Sequence, residues 1–236
     1  MLFYLMSNAI QAEEGMWPPH LIDTQREELQ DRGLQFPMEW LEDSTSPLLQ
    51  SIASFEGCSA AFVSDSGLLL TNRHCVSLYL NTTTLQNPDL IESGFLATST
   101  EAELRLDPEA QLRVLSTMTD VTERVNQTIT SEMPDQDKDI IRTTNRANVL
   151  NDCAQDGSLH CMIAFSELDN RFLLQRQQVL TDLRLVYLPN AMVGQHQPKA
   201  QGLWPRYSGD FALLRAYKAT SEEQRAEPFR PPSHLK

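Results

Sequence analysis

The chain has 236 residues, of which 41% are hydrophobic, so it is long enough and apolar enough to bury a substantial core. Nineteen basic and thirty-two acidic side chains give it a formal net charge of −13. Because a nucleic acid or an anionic membrane surface would repel this charge, the composition argues against both as partners. No apolar run approaches the roughly 20 residues that a membrane-spanning helix needs.

We expect residues 1–12 to be the remnant of a secretory signal. The apolar run at residues 2–6 is followed by the small residues Ala9 and Ala12. A basic segment before that run is missing and the run is short, so a disordered or mis-assigned start is the alternative. We favour the signal because four cysteines in two closely spaced pairs fit an oxidising compartment.

These observations predict a periplasmic or secreted protein. The alternative is a reduced cytoplasmic protein with four incidental cysteines.

In chain order, apolar spacing predicts helices within residues 21–53 and two adjacent strands over residues 57–80. Residues 120–150 are polar with periodic valines and isoleucines, which indicates a helical insertion of two helices broken at Pro134. Further strands are predicted at residues 111–115, 161–165, 172–174, 183–188 and 211–217. The predicted fold is therefore mainly β with helical insertions.

The most informative segment is the strand pair over residues 57–63 and 68–75, which ends in a His-Cys dipeptide. The spacing allows Cys58 and Cys75 to form a disulfide across the hairpin and to hold His74 in place. A histidine fixed in this way suits the general base of a two-barrel serine peptidase. The alternative is a half-buried histidine that is satisfied by a backbone carbonyl.

A histidine base needs a carboxylate that fixes its tautomer and stabilises the imidazolium. Asp210 is the best candidate, because it follows a Ser-Gly turn and opens a strongly apolar strand. Its alternative role is that of an aspartate that ends a turn.

The second cysteine pair, Cys153 and Cys161, flanks a turn-rich segment that a hairpin disulfide would close. No Cys or His pair has metal-ligand spacing together with a matching second pair, and the chain has no glycine-rich phosphate loop. The sequence therefore predicts no metal and no cofactor.

Seven short motifs, in order along nearly the whole chain, resemble serine peptidase family 46, the family of the bacterial dipeptidyl peptidases of the 7 and 11 types. They are Glu14-Gly15-Met16-Trp17, Gly57-Cys58-Ser59-Ala60, Thr71-Asn72-Arg73-His74-Cys75, Asp120-Val121-Thr122, Leu185-Val186-Tyr187, Trp204-Pro205-Arg206 and Gly209-Asp210-Phe211. Any one of them alone would be weak, but the ordered set is specific.

The resemblance implies a chymotrypsin-like double barrel with an inserted helical domain. Residues 13–236 would then be the N-terminal portion of a peptidase domain, namely the first barrel with a helical insertion around residues 120–150. It implies a periplasmic homodimer that releases dipeptides from peptides with a free N-terminus. Carried over by position, His74 is the general base and Asp210 is its orienting carboxylate.

The family's nucleophilic serine lies in a Gly-Asn-Ser-Gly-Ser-Pro type of motif in the second barrel, and this motif is absent from the 236 residues. Ser66, Ser93 and Ser208 precede glycines, but none has a glycine two residues earlier. We therefore expect a first barrel without the second barrel and without most of the helical domain, as in a truncated product or fragment. We also expect this chain alone to lack peptidase activity, since both the nucleophile and the oxyanion hole are missing.

Two further positions depart from the family pattern. Arg73 stands where the family usually has a histidine, and Gln201 and Gly202 stand where it has an asparagine and an aromatic residue that hold the substrate amine. Gln201 still offers an amide carbonyl for that amine, but from a longer side chain.

Three functions therefore remain open. The first is a serine-type dipeptidyl peptidase, represented by its His/Asp half. The second is a non-catalytic remnant that binds peptides or proteins, and the third is a structural periplasmic protein.

Overall fold

The computed structural model describes residues 17–35, 37–43, 46–155, 157, 159–194, 209–218 and 227–231. Within these residues eleven strands belong to one sheet. The strands are β1 (Ile52–Phe55), β2 (Cys58–Phe62), β3 (Leu68–Thr71), β4 (Phe95–Leu96), β5 (Leu104–Arg105), β6 (Leu112–Asp120), β7 (His160–Ser166), β8 (Arg171–Leu180), β9 (Asp182–Leu188), β10 (Ala212–Lys218) and β11 (Glu227–Pro228).

The described helices are mostly short and connect or cover these strands. They are α1 (Arg26–Asp31), α2 (Glu39–Glu42), α3 (Pro47–Gln50), α4 (Arg73–Ser77), α5 (Asn81–Gln86), α6 (Leu90–Ser93), α7 (Thr122–Asn126), α8 (Asp135–Ala154) and α9 (Ala191–Gly194), with 3-10 turns at Pro19–Gln25 and Thr100–Ala102. Among the described residues, no helix combines the length and the apolar character that a membrane span requires.

The strand order is β4-β9-β10-β3-β2-β1-β6-β8-β7, with β11 paired to β10 and β5 paired to β9. Every strand pair is antiparallel. Strand β10 therefore lies between β9 and β3 although it follows them by many residues. This long-range pairing brings the start of β10 next to the end of β3. Asp210 lies two residues before β10 begins, and His74 lies three residues after β3 ends.

Buried side chains from β6 and β9 belong to the same hydrophobic core, although four strands separate these two strands in the sheet order. Leu112 and Val114 of β6 share it with Leu183 and Leu185 of β9. The sheet is strongly curved around this core, because only Thr181 separates the end of β8 from the start of β9 in the chain, although five strands lie between them in the sheet order.

A second, smaller core lies where α7 and α8 pack on β7 and β8. It includes Val125, Val149 and Phe172, and the Cys153–Cys161 disulfide ties the end of α8 to β7. Asn145 of α8 is buried, and its amide donates to the carbonyls of Val125 and Gln127. These bonds satisfy two carbonyl groups at the C-terminal end of α7.

The predicted helices within residues 120–150 are confirmed as α7 and α8, on either side of Pro134. The strand pair predicted over residues 57–80 is confirmed only as far as Thr71, because residues 73–77 are helical. His74 therefore lies in the first turn of a short helix rather than on a strand. The predicted signal remnant at residues 1–12 lies outside the described residues.

A buried polar network ties β10 to the turn before β3. The Glu103 carboxylate accepts hydrogen bonds from Arg215 Nε at 2.7 Å and from the Tyr217 hydroxyl at 2.6 Å. Arg215 also donates to the Ser66 carbonyl at 2.6 Å. Burial, followed by the bond to Glu103, raises the pKa of Tyr217 to about 12.

This pKa predicts an alkaline loss of stability. Because the folded pKa of Tyr217 lies above the ordinary value of 10.0, its contribution is complete below about pH 10 and is lost as pH rises toward 12. Tyr217→Phe should therefore flatten the fall in unfolding free energy above pH 10, measured by urea denaturation at several pH values. An unchanged pH dependence would contradict this role of Tyr217.

The turn between β2 and β3 depends on Gly67. Its φ is +74°, and an added Cβ would lie 2.6 Å from the Ala216 carbonyl oxygen and 2.9 Å from the Phe229 carbonyl oxygen. Gly57 has a similar φ of +84°, but a Cβ added there would have nothing within 4 Å.

We predict that Gly67→Ala lowers the unfolding free energy by about 2–5 kcal/mol, because it adds a backbone clash to the strain of positive φ. Gly57→Ala is the matched control and should cost about 1–2 kcal/mol, since only the strain applies there. Chemical denaturation of both variants measures the difference. If both variants lost the same unfolding free energy, the close backbone approach at Gly67 would contribute nothing to stability.

Candidate active site

His74 is placed by the junction between β3 and α4. Strand β3 ends at Thr71, Asn72 is extended with φ −79° and ψ 140°, and α4 begins at Arg73. His74 is thus the second residue of the helix. The next residue, Cys75, is buried and forms a disulfide with Cys58 at the start of β2, as the sequence predicted. The covalent bond anchors the first turn of α4 to the sheet.

The Asp210 carboxylate receives two hydrogen bonds from His74. The backbone N–H of His74 donates to Oδ1 at 3.0 Å, and ring Nδ1 lies 2.6 Å from Oδ2. The first bond satisfies an N–H in the opening turn of α4, which has no partner within the helix. The second bond fixes the plane and rotation of the imidazole. We call this arrangement the His74–Asp210 pair.

The exposure of the two side chains differs sharply. The side chain of Asp210 is 12% exposed, whereas that of His74 is 54% exposed, so the carboxylate is shielded while the ring is open to solvent.

With Asp210 ionised, the neutral ring of His74 carries its proton on Nδ1, so Nε2 on the opposite side of the ring is the basic nitrogen. The carboxylate also stabilises the positive charge that appears when Nε2 takes up a proton. The pair can therefore act as a general base.

The backbone of Asp210 is held as firmly as its side chain. The Asn72 amide donates to the Asp210 carbonyl at 3.2 Å. The Phe211 N–H bonds to the Gly209 carbonyl at 2.8 Å, which makes a tight turn centred on Asp210. The sequence did not predict this role of Asn72, because its partner is a backbone carbonyl 138 residues further along the chain.

Arg73, the neighbour of His74 in α4, is buried with 5% exposure. Its Nε donates to the Pro189 carbonyl at 3.2 Å, and its Nη2 donates to the Ile91 carbonyl at 2.8 Å. The guanidinium therefore joins α4 to α6 and to the segment that follows β9. The sequence identified Arg73 only as a departure from a family pattern and did not predict these contacts.

Apolar side chains lie exposed beside the His74–Asp210 pair. Phe211, the residue after Asp210, stacks on Tyr187 with ring centroids 5.5 Å apart. Leu96 is the strand partner of Tyr187, and Val193 contacts Gly209. Phe211, Leu96 and Val193 are 40–65% exposed. An apolar surface of this kind, next to a hydrogen-bonded polar pair, is typical of a site that another segment or a ligand covers.

The sulfur atoms of Cys58 and Cys75 and a ring nitrogen of His74 lie within 4.8 Å of one another. Both sulfurs belong to the disulfide, and a metal ion requires thiolates. The oxidised chain therefore offers no metal-binding set at this position.

The other predicted positions fall elsewhere. Gln201, the predicted amine-binding residue, and Ser208 lie outside the described residues. Ser66 lies in the turn at the opposite end of β3 from His74, with its hydroxyl 3.1 Å from that of Ser64. Ser93 donates to the carbonyl of Asp89 within its own helix.

The family model described as Peptidase S46 matches residues 12–236, which is nearly the whole chain. The chain belongs to the Peptidase S46 family.

The chain is 33% identical over 238 residues to an Asp/Glu-specific dipeptidyl-peptidase of Shewanella putrefaciens, covering 98% of this chain and 32% of that protein. It is 26% identical over 222 residues to dipeptidyl-peptidase 7 of Porphyromonas gingivalis, covering 89% of this chain and 30% of the relative. The crystal structure of Porphyromonas endodontalis DPP11 in complex with the dipeptide Arg-Glu has the same fold, with a TM-score of 0.77 and 24% identity. That match covers 95% of this chain and 34% of the DPP11 chain. The chain thus spans about a third of the length of these relatives.

The disulfide next to His74 leads to a prediction. Replacing Cys58 and Cys75 together with alanine should lower the unfolding free energy by about 2–4 kcal/mol. It should also weaken the low-field NMR signal of the His74 Nδ1 proton, because the first turn of α4 loses its covalent anchor.

Replacing Cys153 and Cys161 with alanine is the control. This pair closes a loop in the second core, away from α4, so its loss should reduce stability but leave the His74 proton signal in place. Equal effects of both double variants on that signal would refute the anchoring role.

Proposed function

We propose that this chain is the His/Asp half of a serine-type dipeptidyl aminopeptidase. The observation that supports it most strongly is the double hydrogen bond from His74 to the Asp210 carboxylate, at 3.0 Å from the backbone N–H and 2.6 Å from Nδ1. A carboxylate on Nδ1 leaves Nε2 as the base, which is the arrangement that serine peptidases use.

In the proposed reaction, His74 Nε2 removes the proton of a serine hydroxyl as the serine oxygen attacks the scissile carbonyl carbon. Asp210 stabilises the resulting imidazolium. The imidazolium then gives its proton to the leaving amine, and an acyl-enzyme remains. Water, activated by the same histidine, releases the dipeptide and restores the enzyme.

The nucleophilic serine is proposed to lie in the two thirds of the relatives' length that this chain does not span. The curved sheet would be the first barrel of a chymotrypsin-like pair. The second barrel would pack on the exposed apolar surface formed by Phe211, Leu96 and Val193, and thereby bring the serine to His74.

The proposed substrates are peptides with a free N-terminus, from which dipeptides are removed. The support for this class is the family and the dipeptidyl-peptidase activity named for the relatives. Gln201 is proposed to bind the substrate amine through its amide carbonyl. The two disulfides favour a periplasmic or secreted location, and the family favours a homodimer.

A second candidate function is a non-catalytic module that binds peptides or proteins. One observation favours it: apolar side chains lie exposed beside the His74–Asp210 pair. A complementation experiment separates the two functions.

In this experiment, the chain replaces the corresponding third of the Shewanella putrefaciens relative, to which it is 33% identical. The purified chimera should hydrolyse dipeptidyl–coumarin substrates with Asp or Glu as the second residue. His74→Ala should lower kcat/KM by roughly 10⁴-fold or more, and Asp210→Asn by roughly 10³–10⁴-fold, since each change removes a member of a triad.

His160→Ala is the matched control. His160 is exposed on β7, far along the sheet order from β3 and β10, so this variant should keep nearly full activity. Thermal unfolding establishes that each chimera is folded. A folded chimera that is inactive, or that remains active after His74→Ala, would contradict the proposed peptidase function and favour the binding module.

A further inference from the structure

We propose that Arg73 is a positioning residue for the His74–Asp210 pair, and that it acts through the segment of residues 189–194. This inference rests on the proposed function, because it assigns Arg73 a role in the same reaction. Arg73 itself points away from the chemistry and bonds to backbone carbonyls.

The charge of Arg73 is buried. Its side chain belongs to a residue only 5% exposed, and its acceptors among the described residues are the carbonyls of Ile91 and Pro189 rather than a carboxylate. Burying a cation is costly unless every bond to it is well made. The two carbonyls are therefore held in place against the guanidinium.

The chain that follows Pro189 leads to the residue before Asp210. Helix α9 begins two residues later, and its Val193 carbonyl accepts the Gly209 N–H at 2.7 Å. A Cβ on Gly209 would lie 2.9 Å from Val193 Cγ1, so the two residues are in close contact. The position of Pro189 thus determines that of Val193, and Val193 supports the residue before Asp210.

The segment is also confined at its start by Gly94. A Cβ on Gly94 would lie 2.7 Å from both the Asn190 nitrogen and the Leu188 oxygen. Since α6, which contributes Ile91, ends just before Gly94, the Arg73 bonds and this close approach hold the same junction. Residues 189–194 therefore have little room to move while Arg73 is in place.

The contacts form a closed ring. Arg73 holds Pro189, the segment continues to Val193, Val193 holds Gly209, and Asp210 receives both bonds from His74. His74 is the chain neighbour of Arg73, so the ring returns to its start. A change at Arg73 should alter the angle between α4 and the Asp210 turn, which sets the Nδ1–carboxylate geometry.

Arginine suits this role because its planar guanidinium directs several N–H groups at two separate carbonyls at once. Lysine keeps the charge but carries it on one compact ammonium, so it should hold one carbonyl and release the other. Methionine fills the space and donates nothing. Arg73→Lys should therefore remove one of the two hydrogen bonds to the carbonyls, and Arg73→Met should remove both.

The experiment measures two NMR signals in the 236-residue chain: the low-field Nδ1 proton of His74 and the hydrogen exchange of the Gly209 amide. Arg73→Met should broaden or abolish the first signal and accelerate the second by about tenfold or more, because the support of the Asp210 turn is lost. Arg73→Lys should change both signals in the same direction by a smaller factor. Amides in the middle of β8 should exchange at their original rates.

Arg113→Met is the matched control. Arg113 is a half-buried arginine of β6 whose guanidinium donates to the nearby Gln111 side chain. This variant should leave both signals unchanged. If Arg73→Met does not fold, Arg73→Lys alone provides the test.

An unchanged His74 proton and an unchanged Gly209 exchange rate in the folded Arg73 variants would overturn the proposal. Equal acceleration of all amides, β8 included, would also overturn it, because that result means a general loss of stability. Neither readout requires turnover, so they test Arg73 separately from the peptidase function. In the active chimera, Arg73→Lys should lower kcat by about tenfold with little change in KM, as expected when only transition-state alignment is lost.

Discussion

The site depends on one interaction, the attachment of His74 to the Asp210 carboxylate through both its backbone N–H and its ring Nδ1. Asp210 belongs to a turn that lies 136 residues further along the chain. The contact therefore forms only when β10 has paired with β3. One carboxylate accepts the backbone N–H of His74 in the opening turn of α4, and it also orients the imidazole. The stability of the helix start and the orientation of the imidazole are therefore coupled.

The sheet topology makes this contact possible. Strand β10 inserts between β9 and β3, which brings the start of β10 next to the end of β3, where Asp210 and His74 lie. The Cys58–Cys75 disulfide holds α4 to β2, and the Glu103–Arg215–Tyr217 network holds β10 to the turn before β3. The rigid parts of the fold thus meet at the two residues that would have to stay aligned during catalysis.

The sequence allowed both disulfide pairs, the helices α7 and α8, and the contact between His74 and Asp210 to be predicted, because each depends on local spacing or on a motif. It did not predict that residues 73–77 are helical, since residues 68–75 are typical of one continuous strand. It also missed the contacts of Asn72 and Arg73. Their partners are backbone carbonyls of distant segments, and no pattern of residue types in the sequence identifies a carbonyl acceptor.

The tautomer of His74 shows whether the Asp210 carboxylate orients the imidazole for base chemistry. The ¹⁵N chemical shifts of its ring in the 236-residue chain, recorded where the ring is neutral, distinguish a proton on Nδ1 from a proton on Nε2. We expect the Nδ1–H tautomer, because Nδ1 lies 2.6 Å from the Asp210 carboxylate and donates to it. A neutral ring that carries its proton on Nε2 would contradict the proposed role of His74, since a protonated Nε2 is unable to act as the base.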